Sequence, residues 1–121
     1  MHQLILGGTR DERLRVARAA EVNAPILTLD PATLPFIHPT LPEPRPRTIR
    51  IDDLERAFPD NQTGGTRLVL TQSAYLMQKW IDLLDEGDQI IATADRAALE
   101  KCAPEFLQGR GPWGHFEIVS L

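Results

Sequence analysis

The apolar positions of this chain fall into short blocks whose spacing alternates between two periods. Residues 4–6, Leu-Ile-Leu, are a continuous apolar run stopped by Gly7-Gly8, the pattern of a strand buried on both faces. Thr9 then offers a helix N-cap, and Glu12 three residues on completes a capping box. Leu14, Ala17 and Ala20 follow at helical spacing, with Pro25 closing the element. Residues 26–29 predict a second strand ending at Asp30. After Ile49-Arg50-Ile51, Asp52 reads as another N-cap with Glu55 three on, opening a short helix stopped by Pro59. Residues 60–65 carry turn chemistry. Residues 67–71, Arg-Leu-Val-Leu-Thr, predict the third buried strand. From Ser73 to Glu86 the apolar positions Leu76, Met77, Trp80, Ile81, Leu83 and Leu84 keep a helical period, ended by Gly87. Residues 89–92 predict a fourth strand. Asp95 caps a helix carrying Ala98, Leu99 and Cys102, and residues 116–119 predict a fifth strand.

Short apolar strands alternating with helices imply an α/β domain: a three-layer αβα sandwich around a five-stranded, mainly parallel sheet. Residues 31–47 break the pattern. Six prolines lie there, from Pro31 to Pro46, and each fixes φ and lacks an N–H. This is a strap within a single expected domain, 1–121. Leu34, Phe36, Ile37 and Leu41 make it apolar enough to pack on that domain.

Composition narrows the picture little. The chain has 121 residues, a net charge of -4 and one cysteine. No disulfide framework or CxxC pair is available. No apolar run approaches the roughly 18 residues of a membrane span, and the first residues lack a signal-peptide pattern, so a cytoplasmic location is expected. The mild acidity argues against a general nucleic-acid sponge. Arg10, Arg13, Arg15 and Arg18 nevertheless cluster within nine residues.

The chemistry of interest starts at the glycine pair, which lies where ligands bind α/β sheets, beyond the strand ends. Placing Gly7 on the first glycine of the phosphate-loop pattern GxxxxGK[ST] puts Glu12 on the second glycine, Arg13 on the lysine and Leu14 on the Ser/Thr. Glu12 brings a like charge toward a phosphate, unfavourable by about 1 kcal/mol in water and about 4 at an effective dielectric of 20. Leu14 has no hydroxyl for magnesium. The alternative for Gly7-Gly8 is a plain strand-to-helix turn. Asp30 ends its strand as a ribose-binding acid would, but the GxGxxG glycines are missing.

Two longer stretches carry a family resemblance. Residues 48–58, TIRIDDLERAF, resemble the I-x-hydrophobic-D-x-hydrophobic-R-x-L segment of clamp-loader ATPase domains. Residues 66–94, TRLVLTQSAYLMQKWIDLLDEGDQIIATA, resemble the region of those domains that carries an acid at the end of the third strand and then A-x-x-M, with Ala74 and Met77 on the Ala and Met. The chain is thus similar to a degenerate AAA+ core of the phosphate-loop ATPases, in particular to the delta-prime family of bacterial DNA polymerase III clamp-loader subunits. The resemblance implies a P-loop NTPase-like fold. It places the family's magnesium-binding Walker B acid at Gln72 and Ser73, or Thr71 with a one-residue slip, where no carboxylate stands. Thr93 falls near the family's sensor position and otherwise serves as the cap of the next helix. Arg110 is nearest the family's Ser-Arg-Cys arginine, although its flanks, Gly109 and Gly111, do not match.

These replacements lead to the expectation of a non-catalytic AAA+-like domain, not an enzyme, needing no cofactor or metal and no membrane. It would act through protein contacts in a DNA replication or clamp-loader-type assembly. Gly7, Gly8, Thr9, Glu12, Arg13 and Leu14 would form its degenerate phosphate loop. The contact residues expected are Arg10, Arg15, Arg18, Arg110 and Trp113, the last two in the loop GRGPWGH, with Trp113 folded onto the sheet edge as the alternative. A second reading is an anion or nucleic-acid binding module using the arginine-rich first helix. A third is a degenerate nucleotide-binding enzyme, with Asp30 and Asp95 as its only candidate acids. His2, His38 and His115 are scattered, and Cys102 reads as a buried core thiol.

Overall fold

The computed structural model describes residues 2–58 and 65–121, with the side chains of 65–67 excepted. Of the turn expected over residues 60–65, residues 60–64 lie outside the described residues and Gly65 opens a helix instead. Five strands form one all-parallel sheet in the order β2-β3-β4-β1-β5. They are β1 (His2–Leu6), β2 (Ile26–Leu29), β3 (Thr48–Ile51), β4 (Gln89–Ala94) and β5 (Phe116–Ser120). Helix α1 (Arg10–Ala20) follows β1, α2 (Gly65–Leu83) lies between β3 and β4, and α3 (Arg96–Cys102) follows β4.

Alternation along the strands divides the core. Leu4 and Leu6 of β1, Ile49 and Ile51 of β3, and Ile90, Ala92 and Ala94 of β4 join one cluster with Met77 and Trp80 of α2 and Leu99 of α3. Ile5 and Ile91 point the other way, onto Ala17 of α1, with Val16, Ala20 and Val119 around them. Each fully buried Leu or Ile contributes about 1.5–3 kcal/mol over exposure. A one-residue slip of β4 would exchange these faces, so register is firmly set. Thus α1 covers one face, and α2 and α3 cover the other.

The third strand is where the expected order fails. Residues 67–71 are not a strand; they lie inside α2, and β3 is Thr48–Ile51. The run Leu68-Val69-Leu70 is apolar enough for either element, and the longer period decides. Val69, Ser73, Leu76, Met77 and Trp80 form one helical stripe toward the core, whereas Leu68 is 66% exposed. Ser73 settles its buried hydroxyl on the Val69 carbonyl one turn back, at 2.8 Å.

The strap docks through Leu34, which is buried, and Leu41, partly so. Phe36 and Ile37, expected to pack with them, stand exposed. A 3₁₀ turn at Pro31–Thr33, capped by Asp30, carries Leu34 inward and sends the next two side chains out.

Candidate functional site

In this topology the neighbouring strands β1 and β4 send their connections to opposite faces, through α1 and α3. The crevice beyond their carboxyl ends is the switch point where open α/β sheets bind ligands. Four segments meet there: Gly7-Gly8-Thr9 after β1, Asp52-Asp53 after β3, Thr93 near the end of β4, and Asp95 at the start of α3.

The first segment is shorter than the loop of the GxxxxGK[ST] pattern. Only residues 7–9 separate β1 from α1. Gly7 and Gly8 hold φ of +85° and +59°, which turn the chain straight into the helix. A Cβ on Gly7 would lie 2.7 Å from the Leu121 carbonyl oxygen, because Leu121 extends the β5 ladder along β1 by donating to Leu6 O at 2.8 Å. Thr9 and Glu12 form the expected capping box: Glu12 N–H donates to Thr9 Oγ1 at 3.1 Å, and Thr9 N–H to Glu12 Oε1 at 3.0 Å. The Thr9 backbone N–H, and after it the Thr9 hydroxyl, hold the Glu12 carboxyl below its usual range. The two capping-box bonds occupy two of the N–H groups an anion would use.

Arg13 completes the closure. It is 5% exposed and donates through one guanidinium nitrogen to the carbonyls of Gly7 and Gly8, both at 3.0 Å. The loop therefore offers carbonyl oxygens to an internal cation, the reverse of a phosphate cradle's N–H groups. Leu14 is half-buried on the same helix.

The acids require a correction. Thr71, Gln72 and Ser73 lie in the middle of α2 and not at the end of a strand. The third strand, β3, ends at Ile51 and is followed by two carboxylates, Asp52 and Asp53. Asp52 matches a helix cap in sequence because D-x-x-E before an apolar run is a capping signature. Instead a 3₁₀ turn starts at Leu54, and neither acid caps it. Asp53 sits in the left-handed region at φ +57°, ψ +56°, sparsely populated by anything but Gly, Asn and Asp.

Both carboxylates are already engaged. Arg10, from the first turn of α1, reaches Asp53 with Nε at 3.1 and 3.0 Å and a terminal nitrogen at 3.0 Å. Asp53 N–H donates to Thr93 Oγ1 at 3.1 Å, and Thr93 is fully buried. Thr93 is thus tied to the acid segment and does not cap the next helix; Asp95 does, accepting from Ala98 N–H at 3.1 Å. Asp95 N–H donates in turn to Glu55 at 3.0 Å. Asp52 pairs with Arg50, which also meets Glu21 at the end of α1. Burial opposes the Arg50 charge, but these two acids outweigh it and raise its pKa. A carboxylate held by a guanidinium at 3 Å has little field left for a metal ion. Among the described residues no group of three or more His, Cys, Asp or Glu is placed to hold one.

The expected contact residues are not brought together. Arg10 and Arg13 are spent internally, leaving Arg15 and Arg18 exposed on α1. Arg110 lies on the opposite side of the sheet, beside α2. Trp113 is 3% exposed, stacked on Phe106 at a centroid distance of 3.6 Å and near Phe116. It is a core ring, not a presented one, because the glycine-flanked loop folds back as a 3₁₀ turn, Gly111–His115. Cys102 is half-buried against the core. Missed in the sequence were Asp53 and the pairing partners of Arg10 and Arg13. Only the D-D pair after I-R-I signalled the first. A scan against protein-family models finds no match, and no curated protein matches the chain.

Proposed function

We propose that this chain is a non-catalytic, P-loop NTPase-like domain of the AAA+ type that acts through protein–protein contacts, in a DNA replication or clamp-loader-type assembly. One observation carries the reading: at the switch point the chain's own guanidinium groups stand where substrate and metal would be expected. Arg13 fills the loop after β1, and Arg10 neutralises the acid after β3. Metal-assisted phosphoryl transfer needs free carboxylates for magnesium and free N–H groups for phosphate oxygens. Here both sets are satisfied intramolecularly. The acid-ended third strand and the threonine beside it support descent from a nucleotide-binding layout; their internal pairing supports loss of the ligand. What remains for function is the outer surface.

Isothermal titration with ATP and magnesium tests this directly. No heat of binding is expected up to millimolar nucleotide, and a micromolar Kd would reject the proposal. The arginine-rich helix gives the nucleic-acid reading less support, since two of its four arginines are bound internally. A gel shift that weakens steeply with salt would restore it.

A further inference from the structure

The six prolines of the strap each fix φ, so the segment keeps its shape at little entropic cost. Both of its ends are tied down. At the first, the Asp30 carboxylate accepts the Ala32 N–H at 3.0 Å, and the Thr33 hydroxyl donates to the Asp30 carbonyl at 2.7 Å. At the second, Arg45 meets the buried Asp88 carboxylate at 2.9 Å and donates to the Leu83 carbonyl at 3.1 Å, and Arg47 pairs with Asp88 as well. Between these anchors, a cleft of about 320 Å³ lies where the strap meets the edge strand β2 and α2.

Leu27 and Leu29 of β2, Leu34, Ile37 and Leu41 of the strap, and Trp80 of α2 line it. Leu34 and Trp80 are nearly fully buried and make its floor. Leu27, Leu29 and Leu41 are half-buried and Ile37 is exposed, so the walls carry open apolar surface. The volume falls in the range of about 300–1,000 Å³ of small-molecule sites, which are mostly apolar with a few polar groups. Here those groups are Thr33, His38 and Thr40. The Thr33 proton is committed to Asp30, so toward the cleft its oxygen accepts; His38 and Thr40 are exposed and free to donate. Among the described residues no carboxylate, lysine or arginine lines the cleft. Lys79 and Asp82 line a neighbouring cavity beyond His38, and their charges oppose each other. Each is engaged on α2, Lys79 over the Tyr75 ring at 5.3 Å and Asp82 accepting from Gln78 at 2.9 Å.

We infer that this cleft binds a neutral small molecule with an apolar body of about two rings and one hydroxyl. The size follows from scale, since an apolar cavity of about 150 Å³ holds benzene. A hydroxyl both donates and accepts, matching Thr33 on one hand and His38 or Thr40 on the other. An acid or an amine would carry its charge out of water to a lining without a counter-ion, which disfavours it. The strap is already ordered, so binding adds little ordering cost. The assignment does not rest on the protein-contact function proposed above.

Titration of the ¹³C-methyl-labelled protein tests it, reading the methyl signals of Leu29 and Ile37, with Val119 on the opposite face of the sheet as the reference. The probes are β-naphthol, naphthoate and naphthylmethylammonium. Naphthol is expected to shift Leu29 and Ile37 saturably and to leave Val119 unmoved. The two charged probes should bind about tenfold more weakly or not at all. Ile37→Asp, at an exposed position, should weaken naphthol about tenfold and leave the midpoint of thermal unfolding unchanged. No saturable shift by naphthol, equal affinity for all three probes, an equal shift at Val119, or unaltered naphthol affinity in Ile37→Asp would overturn the assignment. So would tighter binding at the same methyls by N-acetylphenylalaninamide, the mimic of a partner's side chain, which would make the cleft a protein contact. Nucleotide binding is measured at the switch point, so a failure here leaves the non-catalytic reading standing, and the reverse.

Discussion

Deleting either partner of the Arg10–Asp53 pair should have unequal consequences. The Asp53 side chain is 9% exposed and that of Arg10 is 58% exposed. Two unit charges in contact at an effective dielectric of 20 attract by about 4 kcal/mol, most of which desolvation and screening cancel for so open an arginine. What differs is the remainder. Arg10→Ala leaves a carboxylate enclosed and without its cation, and should destabilise the fold by about 2 kcal/mol, below the 3–5 typical of fully buried pairs. Asp53→Asn releases Arg10 into water, and asparagine tolerates the left-handed backbone, so the loss should be about 1 kcal/mol. With the carboxylate gone, Arg10→Ala should add less than about 0.5 kcal/mol. Urea unfolding read by tryptophan fluorescence suits the measurement, because Trp80 and Trp113 are both buried. For an m-value of about 2 kcal/mol/M, Arg10→Ala should lower the midpoint by about 1 M. If Asp53→Asn costs as much as Arg10→Ala, or the two losses simply add, then Arg10 is not the cation that keeps Asp53 in place.

Further outcomes follow from the same geometry. Gly7→Ala should cost about 2–4 kcal/mol, combining left-handed strain with displacement of the Leu121 carbonyl, whereas Gly8→Ala should cost about 1–2; equal losses in thermal unfolding would show that the close approach is immaterial. His2 is lowered to about 4, first by burial and then by nearby positive charge including His115, and its Nδ1 accepts the Ile90 N–H at 2.9 Å. Its ordinary value lies at 6.5, so between the two the unfolded chain binds more protons and stability falls as the pH drops. About 1–2 kcal/mol should be lost over that window after allowing for the ring's partial exposure, and His2→Asn should flatten the slope. Burial raises the Asp88 carboxyl, but Arg47, the Asp85 N–H and Arg45 together hold it below its ordinary value. Its contribution is present above pH about 4 and declines below it; in acid titrations the gap between the wild type and Asp88→Asn should close there.

Local patterns were enough to place α1 with its capping box, four of the five strands, the strap and the parallel α/β class. Those features depend on neighbours a few residues apart. The third strand was misplaced because Leu68-Val69-Leu70 and Ile49-Arg50-Ile51 are both short apolar runs. Which one joins a sheet depends on which can lie beside β4, a contact spanning about 40 residues of chain. That single exchange left Thr71, Gln72 and Ser73 inside α2 and put Asp52 and Asp53 directly after the third strand.

The sequence by itself determined that the residues after β1 depart from the phosphate-loop pattern, since Glu12 and Leu14 stand where that pattern has Gly and Ser/Thr. Only the tertiary structure decided which groups Arg10 and Arg13 meet. Charge pairing acts over a few ångströms of space, not of sequence, and it is the packing of α1 over β1 and β4 that brings Arg10 within 3.0 Å of an acid 43 residues away.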